Sequence, residues 1–357
     1  MSVFDHPEFD KHEHVAFCHD EASGLKAIIA IHNTNLGPSL GGCRMWPYLN
    51  SAEALTDVLR LSKGMTYKAA MANLKQGGGK SVIIGDPRKH KTEDMMKAMG
   101  RFVESLSGRY ITAEDSGISV ENLQAMATQS SHIAGTSAQY NALGETPTGN
   151  PAPSTAYGVF VGLKATVQHV LKSDLNGVKV AIQGMGHVGY RLAKQLHAEG
   201  ARLYVADIYP EGLAKAEEEL GATIVAPEEI LTLPVDVIAP CAMGSSINDE
   251  SLPDIQAKII AGAANNQLAR ESLGTALKEK GIVYAPDYVI NAGGIIDIYH
   301  QKLDDSSDDA MRAHIAKIGD TLVEVYERAE AENRATNLVA NQIAEIPSTL
   351  PAGSPFG

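Results

Sequence analysis

Hydrophobic and polar positions along the chain follow two rhythms, which change near residue 145. Before that point, short apolar runs alternate with helical spacings. Residues 25–31 (LKAIIAI) and 81–84 (SVII) read as buried strands. Ala54, Leu55, Val58, Leu61 and Met65 recur at the period of an amphipathic helix. From Val178 onward the order is strand, helix, strand, helix, with strands expected at 178–182, 202–206, 223–225, 235–239, 259–261 and 282–284. Such alternation predicts a parallel sheet with helices on its faces.

Residues 144–153 (GETPTGNPAP) hold three prolines and two glycines and read as a hinge. Ser154 and Thr155 then read as the cap of a helix running to Leu171. A long polar helix is expected at about 310–333, and the acidic run 304–309 reads as a solvated loop. Residues 346–357 (IPSTLPAGSPFG) read as a loosely held tail.

Composition narrows the function classes. A length of 357 residues fits about two domains. Apolar residues at 44% and charged residues at 20% exclude a disordered or fibrous chain. The net charge of −13 repels phosphate backbones and anionic lipid, so neither nucleic acid nor a membrane surface is expected as partner. Cys18, Cys43 and Cys241 lie far apart, without metal-ligand or redox spacing, which points to a reducing compartment. The N-terminal residues lack a basic then apolar pattern, so no signal peptide is expected. No apolar run approaches the roughly 20 residues of a membrane span. The reading is a cytoplasmic protein. His12 and His14 have no acid or cysteine at ligand spacing, and no metal is expected.

Gly184-Met185-Gly186-His187-Val188-Gly189 matches G-x-G-x-x-G between an expected strand and helix. Gly184 would make the tight turn, Gly186 would admit a pyrophosphate, and Gly189 would let helix and strand pack closely. The helix N-terminus would face the phosphates with its partial positive charge. Asp207 stands about twenty residues on, placed to accept from the ribose hydroxyls. No Arg or Lys occurs at 208–210 to hold a 2′-phosphate, so NAD is expected over NADP.

Chemistry of another kind lies upstream. Lys68 shares the apolar face of its helix with Leu61 and Met65. Its amine either snorkels to water or faces a site. Gln76-Gly77-Gly78-Gly79-Lys80 reads either as a flexible turn or as bare backbone where a ligand approaches. Two nearby ammonium groups would depress each other's pKa, leaving one to hold a carboxylate and the other to act as base. Asp115, after the run 110–114 (YITAE), reads as a proton shuttle or a loop carboxylate.

Together, SLGGCRMWPY (39–48), KGMTYKAAMANLKQGGGK (63–80), TAEDSG (112–117), GMGHVG (184–189), APCAMG (239–244), AGAANNQL (261–268) and PDYVINAGG (286–294) resemble the amino acid dehydrogenases. The leucine dehydrogenase branch is nearest, grouped with valine, phenylalanine and tryptophan dehydrogenases. The resemblance implies a two-domain α/β fold, with an N-terminal substrate domain facing a C-terminal Rossmann NAD domain across a cleft. The expected boundaries are 1–145, with a returning segment of about 335–357, and 146–334. It implies reversible oxidative deamination of an L-amino acid to a 2-oxo acid and ammonia.

By the same resemblance Lys68 binds the α-carboxylate, Lys80 is the base acting on water, and Asp115 exchanges protons with the substrate nitrogen. Gly41, Gly42, Gly77 and Gly78 line the site beside Met65. Gly184, Met185, Gly186, His187, Val188, Gly189 and Asp207 hold the dinucleotide. Thr155, Cys241 and Ala242 approach the nicotinamide, and one of Asn265 and Asn266 contacts ribose and substrate. Glutamate dehydrogenases place a lysine and a serine where this chain has Leu40 and Ile298. With Ala113 and Ile295 these make an apolar wall, and a buried carboxylate without a partner there would cost several kcal/mol. Branched aliphatic substrates are therefore expected. Aromatic amino acids are the alternative, and a non-catalytic NAD-binding regulator is the rival of a different class. A homo-oligomer between dimer and octamer is implied. Asp297, where leucine dehydrogenases commonly have Asn, has no assigned role, and Cys43 reads as a small buried filler.

Overall fold

A computed structural model describes residues 2–136, 142–145, 150–242, 244–303 and 305–349. The first part of the chain forms β1 (His14–Asp20), β2 (Leu25–Asn33), β3 (Ser39–Trp46), α1 (Ser51–Met71), β4 (Gly77–Ile84), α2 (Glu93–Glu104), β5 (Tyr110–Ala113) and α3 (Val120–Ala127). Its five strands lie in the order β1-β2-β4-β3-β5. β1, β2 and β4 pair antiparallel, while β3 runs parallel to both β4 and β5. The expected strand at 81–84 begins four residues earlier, and the glycine triplet lies inside it. A Cβ at Gly77 would land on the Asn33 carbonyl, one at Gly78 on the Thr66 backbone of α1, and one at Gly79 on the Tyr110 ring. The triplet is therefore not a turn. It lets β2, α1 and Tyr110 close around β4.

The second part forms α4 (Ala152–Leu171), β6 (Lys179–Gln183), α5 (His187–Ala198), β7 (Arg202–Ala206), α6 (Pro210–Leu220), β8 (Thr223–Ile224), β9 (Val237–Pro240), β10 (Ile259–Ile260), α7 (Leu273–Glu279) and β11 (Val283–Tyr284). After these come α8 (Asp287–Ile290), α9 (Gly293–His300), α10 (Asp308–Glu332) and α11 (Thr336–Thr349). All six strands pair in parallel, in the order β11-β10-β9-β6-β7-β8. The order reverses between β6 and β9, so a crevice opens at the carboxyl ends of those two strands.

Several local expectations are corrected. Ser154 and Thr155 lie within α4, which starts at Ala152 behind Pro151, so neither is the cap. The hinge residues 146–149 lie outside the described residues. Ser307 caps α10, which places Asp308 and Asp309 in its first turn rather than in a loop. Carboxylates there favour the positive end of the helix. The final helix runs through Thr349, past the start of the expected tail, whose residues 350–357 lie outside the described residues. β1 starts only at His14, and His12 is buried with its ring on the Leu59 carbonyl and Ser62 Oγ. All three cysteines are free thiols, and Cys43 is fully buried. Among the described residues no helix is long and apolar enough to cross a membrane.

The two parts meet along α1. Tyr67 of α1 donates to Glu345 of α11 at 2.8 Å, and His314 of α10 hydrogen-bonds the Ala72 carbonyl at 2.7 Å. One apolar cluster joins Leu40, Tyr67 and Ala113 of the first part to Val289, Ile295 and Ile296 of the second.

Candidate active site

Lys80 stands in the middle of β4, paired with Ala30 of β2 and almost wholly buried. Asp115 follows β5 by two residues. Their charged ends meet, Lys80 Nζ to Asp115 Oδ2, at 2.9 Å. Gly42 of β3 makes the meeting possible, because a Cβ there would press on the Asp115 side chain and lie 3.2 Å from Lys80 Nζ. Gly41 is required by packing, its missing Cβ directed at the Gly79 carbonyl.

A second cation reaches the same carboxylate oxygen. Arg44, two residues beyond Gly42 and so on the same face of β3, places Nε 2.9 Å from Asp115 Oδ2. Burial pushes the Asp115 carboxyl up, but Lys80 and Arg44 together overcome that and hold it at about 2. The group is therefore an anion at neutral pH. Sequence reasoning quoted Arg44 in a motif but gave it no role. Its signal was the two-residue spacing from Gly42.

Lys68 projects from α1 toward the second part, half-buried, with Nζ 3.4 Å from Asn265 Oδ1. Burial lowers its pKa to about 8; Asp287 opposes the shift and Lys80 adds to it. Asn291 holds the Asn265 side chain through an Nδ2 bond of 2.8 Å. Asn266 has φ +51° and gives its backbone N–H to Asp287, so the chain turns at Asn266 and presents Asn265. Asp287 and Asn291 were not singled out from sequence, because their contacts follow from the turn after β10.

Leu40, Ala113 and Ile295 are buried in the apolar cluster that joins the two parts, and Met65 and Ile298 pack against it. The expected wall residues all belong to that cluster or pack against it. Ile298 neighbours Asp297, which is buried and accepts from Ser154 Oγ at 2.5 Å and from Gln301 at 2.9 Å. Burial raises the Asp297 pKa.

At the crevice of the parallel sheet, each fingerprint glycine has its own reason. Gly184 has φ +100°, which L side chains rarely adopt, and its Cβ would meet Ala242 of the β9 loop. A Cβ at Gly186 would meet nothing within 4 Å, leaving open backbone at the start of α5. Gly189 faces the Gly184 carbonyl across the turn. This is a cradle shaped for a pyrophosphate on a helix N-terminus. Met185 is buried below the turn, and His187 and Val188 open α5. Asp207 accepts from the backbone N–H groups of Met185 and Tyr209, which ties the end of β7 to the glycine turn. A cleft of about 560 Å³ lies alongside, lined by Gly186, His187, Arg191, Lys194 and Lys215 among others. Arg191 is held by Glu145 at 2.6 Å, and Lys215 sits 4.5 Å from the centre of the Tyr190 ring. Cys241 continues β9 by a backbone bond to Gln183, and burial pushes its thiol up to about 12. Thr155 lies against Gly294 at the start of α9.

Comparison with known proteins agrees with this geometry. Residues 12–132 match the Glu/Leu/Phe/Val dehydrogenase dimerisation domain. Residues 150–209 and 208–352 match the Glutamate/Leucine/Phenylalanine/Valine dehydrogenase family. A leucine dehydrogenase of Geobacillus stearothermophilus is 48% identical over 359 residues, covering 100% of this chain and 96% of the relative. A phenylalanine dehydrogenase of Caldalkalibacillus thermarum is 44% identical over 351 residues, covering 97% and 93%. The crystal structure of L-tryptophan dehydrogenase from Nostoc punctiforme superposes with a TM-score of 0.81 at 44% identity, covering 94% of this chain and 96% of that one. The chain belongs to the Glu/Leu/Phe/Val dehydrogenase family of amino acid dehydrogenases.

Proposed function

We propose that this protein catalyses the reversible, NAD-dependent oxidative deamination of branched aliphatic L-amino acids. The observation that carries the reading is the Lys80–Asp115 ion pair, with Lys68 in electrostatic range of both, in a protein whose apolar core cluster includes Leu40, Ala113 and Ile295. Sequence identity alone favours no substrate, since leucine, tryptophan and phenylalanine dehydrogenases lie between 44% and 48%. The wall decides. It offers no charge to a second carboxylate, which would remain unpaired at a cost of several kcal/mol. Ile295 and Ile298 limit the width available to an aromatic ring.

Lys68 and the Asn265 amide take the α-carboxylate, with Met65, Gly41, Gly42, Gly77 and Gly78 around it. NAD bound on Gly184, Gly186, Gly189 and Asp207 supplies the acceptor for the hydride leaving the substrate Cα. Thr155, Cys241, Ala242 and the Asn265–Asn266 turn flank the nicotinamide end. Lys80, entering this step as the neutral amine after losing its proton to solvent, takes a proton from the water that attacks the resulting imine carbon. The hydroxyl proton of the carbinolamine leaves to solvent as the C–N bond breaks. Asp115 accepts the proton released from the amino group and returns it to the departing nitrogen. The products are the 2-oxo acid and ammonia. Burial of Lys80 keeps bulk water from competing as base.

The substrate half is residues 1–145 with the returning segment 335–357, and the NAD half is residues 146–334. The contact of α11 with α1 supports this division. The matched dimerisation domain supports a homo-oligomer, and the three free thiols support a cytoplasmic location. The test is turnover of L-leucine with NAD by Lys80→Ala. A loss of about 10²–10⁴-fold in kcat is expected for removal of a general base. Full turnover would rule the mechanism out.

A further inference from the structure

Arg44 lies outside the set of residues that the proposed chemistry requires, yet it is held more tightly than a surface cation needs. Its Nε touches Asp115 Oδ2, and its NH1 touches Asp57 Oδ2 of α1 at 3.0 Å. Tyr48 donates to the same Asp57 oxygen at 2.6 Å. The side chains form a continuous file, Tyr48–Asp57–Arg44–Asp115–Lys80, running from the exposed end of β3 to the middle of β4. A planar guanidinium bridges two carboxylates at fixed angles, which an ammonium does not do.

We propose that Arg44 is a positioning residue for Asp115, fixing its carboxylate and setting its charge, with Asp57 and Tyr48 tuning that field from behind. The inference rests on Asp115 being the proton-exchanging group. Both cations converge on Oδ2, so the exchange with the substrate nitrogen falls to Oδ1. The charge of Arg44 disfavours protons on every neighbour, and Asp57 partly cancels it.

The groups facing Asp115 come from several elements. Lys80 and Arg44 approach from β4 and β3, and Lys68 from α1. Glu114 adjoins it in sequence, and Cys43, Tyr48 and Tyr110 are within electrostatic range. Of these, Arg44 carries a charge that no accessible pH removes.

The pH profile of kcat/KM for L-leucine tests this in four variants. The acid limb reports the coupled Lys80–Asp115 pair. Arg44→Met removes a cation, so the limb moves to higher pH by a unit or more and kcat falls at least tenfold. Arg44→Lys keeps the charge, so the limb stays in place while kcat falls through lost geometry. Asp57→Asn keeps the hydrogen bonds and uncovers the charge of Arg44, so the limb moves to lower pH. Tyr48→Phe removes a donor that draws charge from Asp57, so the limb moves slightly to higher pH, opposite to Asp57→Asn. These opposite signs distinguish a tuned charge from a merely structural contact. Should Arg44→Met fail to fold, Asp57→Asn and Tyr48→Phe carry the test alone. Limbs that stay at the wild-type position in Asp57→Asn and Arg44→Met, or that move in one common direction, would overturn the proposal. Asp115→Asn separates the two readings. If it retains turnover, the role given to Asp115 fails; if it is inactive while Arg44→Met is normal, only the role of Arg44 fails.

Discussion

Lys68 Nζ lies 3.4 Å from Asn265 Oδ1, joining a helix of the first sheet's layer to the loop after β10 in the second. The neighbouring Asn266 contributes its backbone N–H, given to Asp287. The adjacent asparagines, indistinguishable by spacing, are therefore expected to behave differently. Asn265→Ala removes a bond made with a charged group, worth about 1.5–3 kcal/mol. It should lower kcat/KM for L-leucine by roughly 10–100-fold. Asn266→Gly suits the positive φ and should leave kcat/KM close to wild type. Steady-state kinetics of the two variants decides it, and equal losses would sink the assignment.

The apolar wall makes a second prediction. Ile298→Ala opens the partly buried side of the cluster. A pocket change of one or more methylenes is worth about 1–3 kcal/mol in discrimination. The ratio of kcat/KM for phenylalanine over leucine should rise by at least about tenfold. An unchanged ratio would mean that Ile298 does not face the substrate side chain.

Asp207 bears on cofactor choice. Its carboxylate is fixed at the end of β7 by two backbone N–H groups. A fixed anion there repels a 2′-phosphate and accepts from a ribose hydroxyl. Asp207→Ser should lower the preference for NAD over NADP by about tenfold or more, roughly 1.4 kcal/mol. Titration of KM for both cofactors measures this, and Lys194 and Lys215 in the adjacent cleft are present in both proteins as a constant background. A ratio as high as in the parent would place the discrimination elsewhere.

Asp297 gives a stability prediction with a definite sign. Burial raises its folded pKa above the ordinary carboxylate value. The folded state therefore binds the proton more tightly than the unfolded state, and the benefit is complete below about pH 4. It is lost as pH rises through the folded pKa, above which a buried anion remains. Asp297→Asn removes that charge, and its amide still meets Ser154 and Gln301. Thermal melting should show a higher Tm than the parent at pH 8 and no gain at pH 4. A lower Tm at pH 8 would show that the charge itself holds Ser154 and Gln301.

Much of this molecule was legible in its sequence, and the exceptions have physical causes. The strand at 202–206 has the bounds read from apolar periodicity, because a central parallel strand is a continuous apolar run. The roles of Gly184, Gly186 and Gly189 follow from spacing because each answers a different local constraint. Gly77, Gly78 and Gly79 misled, since local propensity reads glycine as a turn while tertiary packing needs it in β4. Pro153 and Ser154 hid the start of α4, because proline is also at home in a first helical turn. Arg44 and Asp115 lie 71 residues apart, and only the pairing of β3 with β5 brings them together.

The most direct test of the central claim is NADH formation by the purified protein at alkaline pH, followed with L-leucine, L-valine, L-isoleucine, L-phenylalanine, L-tryptophan and L-glutamate in turn. The account predicts that kcat/KM ranks the three branched aliphatic substrates above both aromatic ones, with glutamate inactive. Phenylalanine or tryptophan ahead of leucine and valine, or measurable turnover of glutamate, would contradict it.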